Sequence, residues 1–88
     1  MLRRVVGDSM LPGLKPGQVV WARRHFANLK VGDVVVVKHG GLEKIKRLKQ
    51  IDGEHVFVVG DNAAASTDSR QFGWLPRADV VAKVRYRR

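Results

Sequence analysis

The sequence has no cysteine. Disulfides, thiolate metal sites and thiol nucleophiles are thereby excluded together. Acidic residues are scarce: 8 Asp plus Glu stand against 17 Lys plus Arg, for a formal net charge of +9. Long hydrophobic runs are absent as well. The longest purely aliphatic stretch, Val34 to Val37, falls far short of the roughly 20 residues a helix needs to cross a bilayer. Arg3 and Arg4 have the look of a secretory n-region, but Gly7 and Asp8 end the apolar segment at once. Read from Met1, the chain is expected to be soluble and cytoplasmic. A chain that had lost an N-terminal anchor, and so belongs at a membrane, would read the same way. The 88 residues leave room for one domain with a thin core, and residues 1–88 are read as that single domain. The 44% apolar content is too high for a disordered tail.

The positive charge favours anionic partners: nucleic acid, an anionic membrane surface or an acidic peptide. A solvated, solubilising surface accounts for it equally well. The cations are spread over Arg3-Arg4, Arg23-Arg24, Lys44 to Lys49 and Arg85 to Arg88, and no run dominates.

What is present is a series of Val-rich segments between turn signals, without repeats, low-complexity tracts or linkers. Gln18 to Ala22 follows Pro16-Gly17, Asp33 to Lys38 follows Gly32, Glu54 to Val59 lies between two glycines, and Val80 to Tyr86 follows Pro76. β-Branched residues bounded in this way predict strands. In the last segment Val80, Ala82, Val84 and Tyr86 alternate with Val81, Lys83, Arg85 and Arg87, which predicts a half-buried strand with a basic outer face. Leu2 to Val6 is a further short candidate. Leu42 to Ile51 is ambiguous, because Leu42, Ile45, Leu48 and Ile51 recur at every third position; its neighbours favour a strand carrying a bulge. The expected class is all-β, a small barrel-like or folded sheet of short, mainly antiparallel strands.

Two segments break the pattern. One is Gly7 to Gly13; the other, Gly60 to Arg70, is a loop long enough to suggest function and rich enough in local hydrogen-bonding groups to be ordered. Their chemistry follows by elimination. His25, His39 and His55 have no second His at zinc-motif spacing and are expected at the surface or in turns. None adjoins either unusual loop, which argues against a Ser-His-Asp triad. No phosphate-cradling glycine loop occurs. Asp61 and Asp68 could ligand a cation, although two carboxylates on one loop more often cap turns.

A serine with a lysine base is left. Ser9 lies in a turn between Gly7 and Pro12, where a tight backbone could present a hydroxyl and aim N–H groups beside it, as an oxyanion hole requires. An ordinary turn serine is the plainer reading of Ser9 taken alone. A base must be neutral: a free lysine titrates near 10.4, so only about one in a few thousand is neutral at pH 7, and lowering it by about three units costs roughly 4 kcal/mol. Burial can supply that, since desolvation disfavours the ammonium. Lys46, beside Ile45 and Leu48, is the candidate, and a solvent-facing lysine in a basic strand is its plainer reading.

The strings GDSMLPGL, IKRL and GDNAAASTDSRQFG, in that order, resemble the type I signal peptidase family, with its Ser-Met-x-Pro turn, Lys-Arg strand and Gly-Asp-Asn…Ser-x-Asp-Ser-Arg loop. The likeness runs from about Val6 to Val84. It implies Ser9 as nucleophile, Lys46 as general base with Arg47 its usual neighbour, and the Ser9 N–H as main oxyanion donor. Some members place a hydroxyl where this chain has Gly7. Ser66 would orient the Lys46 amine, Asp68 and Arg70 would pair to hold the loop, and Gly7, Asp8, Met10 and Pro12 would shape the oxyanion and substrate cleft. No cofactor or metal is implied. The family's usual N-terminal anchor and its inserted second β domain have no counterpart in the sequence. Gly13 stands where Thr is common, and Ala63 to Ala65 replace a more polar stretch.

The resemblance is closer still to a small anchorless branch, the maturation peptidases of nickel-type superoxide dismutase. It implies a serine endopeptidase with a Ser-Lys dyad that removes an N-terminal leader from a precursor bound as an extended strand. A general signal peptidase catalytic domain acting on secreted preproteins is the alternative. The self-cleaving domain of SOS-response repressors shares the Ser-Lys pair but normally follows a helix-turn-helix, for which there is no room before Ser9. A nucleic-acid-binding β barrel is a distant rival. The six aromatics are scattered, several are expected in the core, and no specific nucleic acid is expected as a partner. Weak contact with an anionic membrane surface stays open.

Overall fold

The computed structural model describes residues 1–26 and 28–85. The elements are β1 (Leu2–Arg4), β2 (Val19–Arg23), β3 (Val34–His39), β4 (Leu42–Asp52), β5 (His55–Val59), a 3₁₀ turn at Ala63–Ala65, α1 (Ser69–Phe72), β6 (Leu75–Pro76), a second 3₁₀ turn at Arg77–Asp79, and β7 (Val80–Val84). The strands form one sheet in the order β1-β2-β7-β3-β4-β5-β6, every pair antiparallel. The sheet folds without closing, so the all-β expectation takes its folded-sheet form.

β3 sits at the centre, and its four valines are buried on both faces. Val34 and Val36 join Val5, Met10, Leu14, Val20, Ala22, Ala82 and Val84 in one cluster. Val35 and Val37 join Leu29, Leu48, Val56, Val58, Leu75 and Val80 in the other. A run of β-branched residues without polar alternation suits a strand covered on both sides. The fully buried core is aliphatic: among the described residues Phe26 and Phe72 pack half-buried against the second cluster, while Trp21 and Trp74 are exposed, so the expectation of several core aromatics holds only at the core's margin.

The irregular spacing in β4 has a structural cause. Its register against β5 shifts between Leu48 and Gln50, so Lys49 is an extra residue. A bulge resets the alternation. Leu48 and Ile51, three apart, therefore both pack on the second cluster, whereas Ile45 packs on the first. β7 departs from the single alternation expected of it: its register against β3 shifts between Val36 and Val37, so Val81 is an extra residue, Val80 packs on the second cluster, and Ala82 and Val84 pack on the first. Lys83, opposite Val35, pairs with Asp33 at 3.3 Å. Tyr86 and Arg87 lie outside the described residues. β6 was not anticipated, and His39 is not a plain surface residue. It ends β3 half-buried, stacked on Phe72 with 3.9 Å between ring centroids.

Candidate active site

Residues 5–18 link β1 to β2, and from Gly7 onward they form a series of tight turns. Val5 N–H donates to Gln18 O and Gly17 N–H to Val5 O, both at 2.8 Å, which closes the base of the loop. Within it Leu11 N–H reaches Asp8 O at 3.2 Å and Leu14 N–H reaches Met10 O at 3.0 Å. Met10 and Leu14 are the anchors, each only 1% exposed in the first cluster. Their burial leaves Ser9 half-buried at the surface, with Asp8 and Pro12 exposed beside it. Gly7 has φ +76°, a conformation that residues with side chains avoid, so the extra hydroxyl some relatives carry would be strained here. Among the described residues, neither the N–H nor the hydroxyl of Ser9 has a hydrogen-bond partner. Those are the two groups that acyl transfer needs uncommitted.

Lys46 lies mid-way along β4, opposite Val35, on the face that packs against the second cluster. It is 5% exposed. Its amine donates to Ser66 Oγ at 3.0 Å, and Ser66 Oγ donates in turn to Asp68 Oδ2 at 2.6 Å. Asp68 is fully buried and caps α1. It also accepts from Gly60 N–H at 2.8 Å, Arg70 N–H at 3.1 Å and Arg70 Nε at 2.9 Å, with Arg70 Nη2 completing a fork. Burial alone would raise the Asp68 carboxyl. The Arg70 guanidinium, the Gly60 N–H, the Ser66 hydroxyl and the Arg70 N–H together hold it well below the usual carboxylate range.

Burial pushes the Lys46 amine down from its ordinary value of 10.5. The Asp68 carboxylate opposes the shift, and the cations Lys44 and Arg70 reinforce it. The direction of the hydrogen bonds matters here. Ser66 uses its proton on Asp68 and so meets Lys46 as an acceptor. A neutral Lys46 bonded in this way keeps its lone pair free for a proton from elsewhere.

The loop that carries Ser66 also grips the nucleophile turn. Asn62 N–H donates to Ser9 O at 2.8 Å, and Asn62 Nδ2 donates to Asp8 O at 3.1 Å. Asp61 receives a two-pronged bond from Arg47, Nε and Nη2 both at 2.8 Å, and Arg47 Nη1 bonds Gly32 O at 2.7 Å. The carboxylates of Asp61 and Asp68 thus each face a guanidinium. Gly60 closes the arrangement by having no side chain: a Cβ there would stand 2.3 Å from Ser66 Oγ and 2.7 Å from Ser9 O. The Ser9 backbone and the Ser66 hydroxyl meet over this bare glycine.

The structure therefore gathers Lys46, Ser66, Asp68 and Arg70 into one chain of hydrogen bonds and binds Arg47 to the same loop. It holds Ser9 and Asp8 through Asn62. It makes no hydrogen bond between Ser9 Oγ and Lys46, whose amine points at Ser66. Pro12 is exposed on the turn, and Met10 is buried beneath it. Gly60 and Asn62 were not singled out from sequence; the string Gly-Asp-Asn was their signal, but nothing in it revealed that they reach the nucleophile turn.

A family model described as Peptidase S24-like matches residues 1–84. The chain belongs to the peptidase S24-like family. Its curated relatives include mitochondrial inner membrane protease subunit 1 of Mus musculus and of Homo sapiens, each 28% identical over 104 residues and covering 89% of this chain, and that of Xenopus tropicalis at 29%. The alignments are longer than the chain itself, so these relatives carry extra residues within the matched stretch. This S24-like chain spans 62–63% of their length. Among its described residues no helix is long and apolar enough to cross a membrane.

Proposed function

We propose that this S24-like chain is one catalytic domain of a serine endopeptidase that removes an N-terminal leader from a precursor protein. Ser9 Oγ attacks the scissile carbonyl while Lys46 Nζ takes its proton. The Ser9 N–H receives the developing oxyanion. Lys46 then returns the proton to the departing amine, and the C–N bond breaks to leave an ester on Ser9. Water, deprotonated by Lys46, attacks that ester; the acyl C–O bond to Ser9 breaks, Lys46 returns the proton to Ser9 Oγ, and the leader departs with a free carboxylate. Ser66 is a positioning residue for the amine, and Asp68 with Arg70 holds Ser66.

The observation that carries this reading is the buried Lys46 amine bonded to a hydroxyl whose own proton is committed to Asp68. A salt-bridged surface lysine would have no use for such a setting. The substrate we infer is the precursor of nickel-type superoxide dismutase, supported by the likeness of the GDSMLP turn, the run from Ala65 to Gly73 and the basic C-terminal strand to that branch. The relatives, named as subunits of a mitochondrial inner membrane protease, favour a second reading, a membrane-associated processing enzyme acting on secreted preproteins.

The test incubates a dismutase precursor and a secretory preprotein separately with the protein and with its Ser9→Ala variant, and reads products by intact mass. A cut in the dismutase leader alone, lost in the variant, is the expected result. A cut in the preprotein alone would select the second reading. A cut retained in Ser9→Ala would remove Ser9 as nucleophile.

A further inference from the structure

A cleft of about 1290 Å³ opens beside the β2–β7 pair, against the segment that follows β2. Five cations line it, Arg23, Arg24, Lys30, Lys83 and Arg85, together with Trp21, and no carboxylate does among the described residues. Asp33 answers part of this charge from the rim, holding Lys83 at 3.3 Å and the Lys30 N–H at 2.8 Å. Glu43 lies in the field of Arg24. The side chains of Arg23, Lys30 and Arg85 have no carboxylate partner among the described residues. Trp21, 62% exposed, gives the cleft an apolar wall.

The sheet register relates this cleft to the base. Arg23 stands opposite Lys83, Lys83 opposite Val35, and Val35 opposite Lys46. Residues directly opposite share a face. At about 4.8 Å per strand, Lys83 is about 10 Å and Arg23 about 14 Å along the sheet from Lys46. Val35, which lies between Lys83 and Lys46 in this register, is fully buried in the second cluster, so the cleft and the base are neighbours along the sheet rather than ends of one open groove.

We propose that this cleft is an exosite that docks an acidic segment of the precursor apart from the cleaved bond. The inference rests on the peptidase reading above. An acidic polypeptide is favoured over the other polyanions by shape and position. The cleft is concave, whereas a lipid surface is met by a flat or convex patch. Its rings are Trp21 and the smaller His25, both exposed, and the half-buried Phe26, whereas single-stranded nucleic acid is held by stacking on a row of exposed aromatics. It also shares a sheet face with the group proposed to process a polypeptide.

The test measures fluorescence anisotropy of a labelled peptide of alternating Glu and Gly, and of its Gln counterpart, on the Ser9→Ala protein. Three forms are compared in that background: the parent, Arg23→Glu/Arg85→Glu, and Lys15→Glu/Lys49→Glu, which has the same net charge but alters exposed lysines elsewhere. The Glu peptide should bind about tenfold tighter than the Gln peptide, and the cleft pair alone should lose that preference. The milder Arg23→Gln/Arg85→Gln should lose part of it. Equal loss in both charge-reversed pairs would reduce the effect to net charge and overturn the exosite. So would absence of a preference, or displacement of the peptide by phosphatidylglycerol vesicles or a single-stranded oligonucleotide at lower charge concentration. Binding is read without cleavage. Ser9-dependent processing without Glu-peptide binding therefore removes the exosite alone, and binding without processing removes the peptidase reading alone.

Discussion

At Lys46 two opposing demands meet. A base must lose its proton near neutral pH, yet Asp68 lies close enough to stabilise the charged form. Ser66 separates them, spending its proton on the carboxylate and offering the amine only a lone pair. Ser66→Ala should therefore lower kcat by about ten- to hundredfold, short of the whole contribution of a general base, with KM little changed. Steady-state kinetics on a cleaved precursor checks this, and unchanged kcat would remove Ser66 from the mechanism. Gly60 is the other residue whose identity is forced. A methyl group there would collide with the Ser66 hydroxyl and the Ser9 carbonyl. Gly60→Ala should cost about 1–3 kcal/mol of stability and most of the activity, in the way overpacked sites do. Denaturant unfolding beside an activity assay would show it, and a fully active, fully stable variant would contradict the close contact.

Three elements build the site, and they were unequally legible in sequence. The turn holding Ser9, the strand holding Lys46 and the loop holding Ser66 each carry recognisable strings, and the roles of their best-known residues came from resemblance. The bounds of β2 to β5 were readable to within a residue because valines stop at glycines and prolines, whereas β1 ends two residues before the expected Val6 and β7 ends at Val84, short of the expected Tyr86, which lies outside the described residues. Other features were not readable. The β4 bulge blurs strand period into apparent helix period, since one extra residue moves every later side chain to the other face. β6 has two residues, one of them Pro76, and exists only by pairing with β5. Asn62 looks like any loop asparagine, because its partners, the carbonyls of Asp8 and Ser9, are more than fifty positions away. Asn62→Ala keeps the backbone bond to Ser9 and loses the one to Asp8. It should lower kcat by about tenfold, as a misplaced catalytic group does, while Asn62→Gln should not restore it fully. Loss of folding in circular dichroism, in place of a kcat effect, would make the clamp purely structural.

For the whole molecule, the sheet is covered on both faces by thin aliphatic clusters, and the ionisable site is set into one of them. Stability must then depend on pH in a definite sense. The folded Lys46 amine titrates below its ordinary value, so the folded state binds fewer protons than the unfolded state between the two values. Stability rises with pH across that window. The folded Asp68 carboxyl is depressed, so its contribution is present above the ordinary carboxylate value and is lost as pH falls through the folded one. Lys46→Met should raise Tm at neutral pH and abolish the alkaline rise, while leaving the acid loss in place. A domain of this size gains about 4–8 °C for each kcal/mol, so the change is measurable by thermal melting. A lower Tm at neutral pH would show that the lysine stabilises the fold.

Everything proposed for catalysis depends on Lys46 being easy to deprotonate, and that can be observed without a substrate. Lysine ε-carbons labelled with ¹³C would be titrated by NMR, and Lys46 assigned by its missing signal in Lys46→Met. A midpoint below 10.5, moving further when Ser66 is replaced by alanine, is the expected result. A midpoint at or above 10.5 would mean a lysine locked in charge by Asp68, and Lys46 could not be the base.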